Sequence, residues 1–113
     1  MIWNDAENFC SQSGAHLASI HSEQEVAFIQ SLLGPSWRGQ PWIGGQRNGS
    51  TFEWIDGSTF DFNNWNPNEP NNFGGQENCI HIYTRNGKWN DIRCNGKLTF
   101  VCKRQLGKKW LSF

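Results

Sequence analysis

At 113 residues the chain is one domain, long enough to bury a core and short enough to gain from covalent staples. Ten basic and ten acidic side chains cancel, which argues against an electrostatic binder of nucleic acid, and no apolar run approaches the roughly 20 residues that insert across a membrane. Only 18 % of residues are charged while seven are Trp and eight are Phe, an aromatic load that fits a packed core and not disorder.

The N-terminal stretch MIWNDAENFC has no basic start followed by an apolar run, so it does not read as a signal peptide. Trp3, Ala6, Phe9 and Cys10 recur at helical spacing, with Gly14 as a natural stop. Ser22-Glu23-Gln24-Glu25 has the form of a capping box, with Ser22 capping and Glu25 reaching back. Val26, Ile29, Leu32 and Leu33 then draw an apolar stripe that ends at Gly34-Pro35. From Trp42 the pattern changes to short strands, PWIGG and TFEWIDGS, broken by Gly and Asp-Gly turns. Residues 56–78 are polar and rich in Gly and Asn, too long for an ordinary connection, which points to function or to tethering by a ligand. CIHIYTRNGKWNDIRC reads as a hairpin turning at Asn86-Gly87, with His81 on the outer face of its strand, and LTFVC as a final strand. Two helices followed by many short strands is an α+β layout.

Several residues carry plain readings. Trp42, Trp54, Trp65 and Trp89 read as core, while His16 and His21 have no partner pattern. Asn48-Gly49-Ser50 is a glycosylation sequon in a turn, and Lys108 and Lys109 belong to a solvated tail. Cysteines stand at 10, 79, 94 and 102; an even count fits two disulfides, with three pairings open. No pair is spaced as CxxC and no His completes a zinc pattern, so disulfides and an extracellular setting are expected.

The least apolar stretch, NEPNNFGGQEN at 68–78, gathers two carboxylates and four asparagines around Pro70. Together with WIGG at 42–45, EPN at 69–71, WND at 89–91 and the order of the cysteines, it resembles the C-type lectin domain, from Trp3 to about Lys103. The domain is accordingly read as 1–104, with 105–113 as a C-terminal tail. The resemblance implies two helices packed on short antiparallel sheets with a long calcium-binding loop. It also implies the pairs Cys10–Cys102 and Cys79–Cys94, contributing about 4.7 and about 3 kcal/mol in the chain-entropy model.

The same resemblance assigns Glu69, Asn71, Glu77, Asn90 and Asp91 as ligands of one Ca2+, an ion that takes six to eight oxygens. Asp91 would add its backbone carbonyl, and the Glu69–Pro70 bond would be cis, as it is in the family. Two adjacent sugar hydroxyls would complete the shell. Glu69 and Glu77 accept their protons, Asn71 and Asn90 donate through amide nitrogens, and Phe73 either covers the sugar ring or anchors the loop. The order Glu-Pro-Asn resembles the mannose-type sequence, which implies equatorial 3- and 4-hydroxyls, as in mannose, N-acetylglucosamine and glucose, or the similarly disposed hydroxyls of fucose. The galactose-type order Gln-Pro-Asp is absent.

Two departures stand out: Arg47 lies where the family's auxiliary calcium site would want a carboxylate, so that site is expected weak or missing, and the opening strand ahead of the first helix is missing. The tail QLGKKWLSF is a candidate replacement, without which the final strand would have an open edge. The competing class is a lectin-like domain that binds a protein or ice surface. An enzyme is not expected, because the carboxylates a glycosidase would need are committed to the ion.

Overall fold

The computed structural model describes residues 1–33, 39–104 and, as backbone, 110–112. Helix α1 (Trp3–Gln12) buries Trp3, Ala6 and Cys10, the periodic positions of its stripe, and ends where Gly14 takes a left-handed φ of 72°. The Trp3 indole donates to the Ile43 carbonyl at 2.9 Å, which fixes the helix against the sheet. Strand β1 (His16–Leu17) leads to helix α2 (Glu23–Leu33). Ser22 Oγ accepts the Glu25 amide at 3.1 Å, while Glu25 Oε1 reaches back to the His21 amide at 2.8 Å, one residue beyond a standard box. Val26 and Ile29 are buried but Leu32 is exposed, so the apolar stripe is narrower than expected. The expected stop at Gly34-Pro35 lies outside the described residues, as do Lys108 and Lys109.

The remaining strands are β2 (Trp42–Asn48), β3 (Thr51–Trp54), β4 (Cys79–Ile82), β5 (Trp89–Ile92), β6 (Val101–Lys103) and β7 (Trp110–Ser112). They form two sheets, ordered β3-β2-β4-β5 and β1-β6-β7, with every named pair antiparallel. Strand β7, from the tail, pairs with β6 in the register Cys102↔Leu111 and so occupies that edge. Asn48 pairs with Thr51, which places the sequon at the tight β2–β3 turn. The β4–β5 hairpin closes with Tyr83 N–H on the Lys88 carbonyl at 2.8 Å, so Asn86-Gly87 ends a four-residue loop and is not a two-residue turn.

Two apolar cores flank the larger sheet. One gathers Ile20, Val26, Ile29, Ile43, Trp54, Ile80, Ile82 and Trp89; the other gathers Trp3, Ala6, Leu17, Trp42 and Phe100. Strand β4 lies between them and all four of its residues are buried. His81 is therefore not on an outer face, as alternation predicted, but 1 % exposed, with Trp42 and Tyr83 at its edges. Alternation fails here because a strand covered on both faces has no solvent side. Cys10–Cys102 and Cys79–Cys94 are the disulfides, the first joining α1 to β6 and the second clamping β4–β5. His16 and His21 do find partners, Glu7 at 2.6 Å and Asp61 at 2.8 Å, the first nine positions away and the second 40.

Trp89 positions the long loop. Its ring meets Trp54, Phe60, Phe62 and Trp65 edge-on at 5.4–6.0 Å, close to the geometry in which aromatic pairs attract. Backbone bonds from Trp89 N–H to the Asn64 carbonyl and from Asn66 N–H to the Trp89 carbonyl, each 2.9 Å, lay the loop beside β5. The next residues of β5 are Asn90 and Asp91. The aromatic hub thus delivers the polar loop to the two polar residues of the hairpin.

Candidate metal centre

Loop 66–78 is folded by its own short polar side chains. The Glu69 amide bonds the Asn66 carbonyl at 3.0 Å, the Glu69–Pro70 peptide is cis, and Asn72 sits at φ 46°, a left-handed conformation that Asn tolerates. The short turn Phe73–Gly75 follows. The Phe73 N–H points between Asn71 Oδ1 (3.2 Å) and Glu77 Oε1 (2.9 Å), so those two oxygens face one another across it. Asn72 Oδ1 accepts the Glu77 amide at 3.0 Å and closes the loop on itself.

Asp91 ties this loop to the sheet. Its carboxylate is fully buried and accepts the Asn71 amide on Oδ1 at 3.2 Å, and the Asn72 amide and Arg47 Nη2 on Oδ2, each at 2.8 Å. Arg47 also donates from Nε and Nη2 to the Glu77 carbonyl at 3.2 Å, and its guanidinium lies 4.5 Å over the Phe52 ring. Sequence reasoning placed Arg47 near an auxiliary site but missed that it holds both the loop and Asp91. Three of the four acceptor positions of the Asp91 carboxylate are filled, which leaves one on Oδ1.

Glu69 faces Asp91 from the other side. Burial first, and then the neighbouring Asp91 carboxylate, raises the Glu69 pKa above its usual 4.5. Its Oε1 is buried without a hydrogen-bond partner, a cost that a cation placed between the carboxylates would remove. Among the described residues no three His, Cys, Asp or Glu side chains gather as a metal group by themselves. Any ion here must also draw on the Asn71 and Asn90 amide oxygens. That is a hard, all-oxygen donor set of the kind calcium takes.

Asn90 stands opposite His81 in the β4–β5 register, and its Nδ2 donates to His81 Nε2 at 3.0 Å. Burial lowers the His81 pKa to about 4, so the ring is neutral at physiological pH and offers a lone pair. The Tyr83 hydroxyl also lies within hydrogen-bonding reach of the Asn90 side chain. The amide nitrogen is thus turned inward and the Asn90 oxygen is left for a ligand. The Phe73 ring is 78 % exposed at the tip of the loop.

The chain and its fold have counterparts among known proteins. The chain is 42 % identical over 108 residues to a lectin from Pleurodeles waltl, a match that covers 89 % of this chain and 63 % of that protein. The mouse scavenger receptor C-type lectin carbohydrate-recognition domain superposes with a TM-score of 0.80 at 33 % identity, covering 89 % of this chain and 80 % of that one. A calcium-independent type II antifreeze protein superposes equally well, with a TM-score of 0.80 at 31 % identity over 90 % of this chain and 77 % of that one. The sequence model of the lectin C-type domain matches residues 1–104, and the chain belongs to that family, whose members bind and do not catalyse.

Proposed function

We propose that this domain binds saccharides in a calcium-dependent manner, through vicinal hydroxyls disposed like the equatorial 3- and 4-hydroxyls of mannose. The observation that carries the reading is the buried, unpartnered Glu69 Oε1 beside the Asp91 carboxylate, with Asn71 and Glu77 oxygens converging on the same loop. Glu69, Asn71, Glu77, Asn90 and Asp91 would hold the ion. Bound calcium takes six to eight oxygens and leaves places for two hydroxyls of the sugar. Three carboxylates are balanced by one dication together with the Arg47 guanidinium, so no charge is buried without a counterpart.

The chain's own groups orient the diol. Glu69 and Glu77 accept hydroxyl protons, and Asn71 donates from Nδ2 because its oxygen is turned toward Phe73 N–H. Asn90 spends one N–H on His81, so its part in donating is smaller than that of Asn71. The Glu-Pro-Asn order supports a preference for mannose, N-acetylglucosamine, glucose or fucose over galactose, and exposed Phe73 offers an apolar face to the ring. Two disulfides support an extracellular setting.

Calorimetric titration with mannose tests the reading. A Kd on the order of 1 mM, about −4 kcal/mol, is expected with calcium, since two hydroxyls and one ring face are engaged. No heat is expected after chelation, with recovery on adding calcium. Undiminished binding in EDTA would reject the mechanism. Absence of any saccharide binding would favour the second reading, a calcium-independent surface for protein or ice, which the likeness to an antifreeze protein supports.

A further inference from the structure

Asn48-Gly49-Ser50 is the single Asn-x-Ser/Thr sequence of the chain. At the turn between β2 and β3, Asn48 pairs with Thr51, and Thr51 Oγ1 donates to the Asn48 carbonyl at 3.1 Å. Asn48, Gly49 and Ser50 are all exposed, and Gly49, at φ 66°, has no atom beyond its chain neighbours within 4 Å of the place a Cβ would take. Bulk attached here meets solvent and not a packed element. The Asn48 side chain makes one hydrogen bond, from Nδ2 to Glu53 Oε2 at 3.2 Å. An amide nitrogen carries two hydrogens, so one can be replaced while the other keeps that bond.

The strand period fixes which way an attached group leaves. Gln46 and Asn48 are two apart on β2 and lie across from Glu53 and Thr51, so these four side chains share a face. Arg47 has the other parity, and its guanidinium crosses Phe52 to reach Asp91 and the Glu77 carbonyl. On the Asn48 side a cleft of about 340 Å³ opens between β2 and the start of α1, with Asn4, Gln46, Gly49 and Asn78 in its lining and Arg47 as its wall toward the ion site. The side-chain amides of Asn4, Gln46 and Asn78 make no hydrogen bond among the described residues. They leave donors and acceptors for the hydroxyl and acetamido groups of a sugar. Strand β3 is also the outer strand of its sheet, and cover at such an edge blocks pairing with other chains.

We propose that Asn48 carries an N-linked glycan whose first N-acetylglucosamine lies over the Asn4, Gln46 and Asn78 amides, on the face of β2 turned away from the ion site. The donor is an oligosaccharide carried on a lipid diphosphate. Asn48 Nδ2 bonds to the anomeric carbon, the bond from that carbon to the diphosphate oxygen breaks with its electron pair leaving on oxygen, and the amide gives up one proton. Two disulfides mark a chain that matures in an oxidising compartment, the setting of such transfer. The assignment is independent of what the ion site binds.

The test is peptide mapping by mass spectrometry of the chain secreted from an animal cell line. The peptide holding Asn48 is expected to carry a glycan mass that peptide N-glycosidase removes, converting the asparagine to aspartate. Ser50→Thr should keep the glycan. Ser50→Ala should lose it while leaving Asn48 and its bond to Glu53 in place. An unmodified Asn48 in the secreted wild type overturns the assignment. Placement is read from side-chain amide signals in NMR, comparing the wild-type glycoprotein with Ser50→Ala, or with Asn48→Gln if the first variant is not secreted. The signals of Asn4, Gln46 and Asn78 should move and those of Asn71 and Asn90 should not. Shifts at Asn71 and Asn90, or none at the three cleft amides, overturn the placement.

Discussion

His81 is 1 % exposed, and burial holds its pKa at about 4 against an ordinary 6.5. The unfolded chain therefore binds a proton at this position that the folded chain refuses between those two values. Its contribution to stability is complete above pH 6.5 and is lost as the pH falls toward 4. The drop from 6.5 to about 4 amounts to about 3 kcal/mol, with a limiting slope of about 1.4 kcal/mol per pH unit. That is a large share of the roughly 5–15 kcal/mol by which domains are stable. A protonated ring would also present an N–H to the Asn90 N–H, and only an inverted amide, with its oxygen turned away from the ion, would satisfy it. The assay is urea unfolding in EDTA, followed by Trp fluorescence from about pH 7.5 to about pH 4.5, on the wild type and on His81→Gln, whose amide oxygen can still accept from Asn90. Taking the difference between the two proteins removes Glu69, whose raised pKa works in the opposite direction. The wild type should lose stability more steeply, by about 2.5 kcal/mol over the window, the full effect being reached only below pH 4. Parallel curves would show that His81 does not resist protonation and would refute the reasoning.

Gly44→Ala would set a methyl group 2.4 Å from the Leu17 backbone carbonyl oxygen, which cannot move aside, so a loss of about 1–3 kcal/mol or more is expected in urea unfolding. Arg47→Met leaves the buried Asp91 carboxylate without its cation and should cost about 3 kcal/mol in the absence of calcium, with part recovered when calcium is added. Because the Glu69 carboxyl is held above 4.5, protons should compete for it in mild acid, and calcium affinity measured at about pH 5 should be weaker than at about pH 7.5. Exchanging Glu69→Gln together with Asn71→Asp should keep calcium binding but misplace donor and acceptor around the diol; mannose binding should fall by about 1–3 kcal/mol per mismatched group in a glycan assay that includes galactose.

What was legible in the sequence was mostly what local periodicity and family motifs carry. The 3.6-residue stripe of Trp3, Ala6 and Cys10 is the buried face of α1, the α+β layout and lectin fold are those of the structure, and the expected cysteine pairs are the disulfides present. Illegible features depend on what lies across a sheet or a long loop. His81 looked solvent-facing because its neighbours Ile80 and Ile82 are apolar, yet two cores cover both faces of β4. His21 meets Asp61, and Arg47 meets Asp91, across 40 and 44 positions of sequence, a distance no local pattern spans. For the ion site, the loop motif names the candidate oxygens, but the support behind them is tertiary. Neither the His81 bond to Asn90 nor the Arg47 bond to Asp91 has a motif of its own.

That support bears on how the site would work. Loop 66–78 and β5 are separate pieces of chain, and three acceptor positions on one buried carboxylate join them: Asp91 takes the amides of Asn71 and Asn72 and the guanidinium of Arg47. Arg47 in turn grips the Glu77 carbonyl, so a fixed positive charge draws together the ends of a loop whose carboxylates would otherwise repel. An auxiliary metal could perform the same task, but a covalently attached guanidinium does so without depending on free ion concentration. These bonds tie the loop to β5 through groups of the chain itself, so less of the free energy of the proposed ion binding would be consumed in arranging it. Asn90 is prepared separately, by His81 behind it. Glu69 Oε1 is the buried carboxylate oxygen without a hydrogen-bond partner beside Asp91, and that is where a cation would gain most.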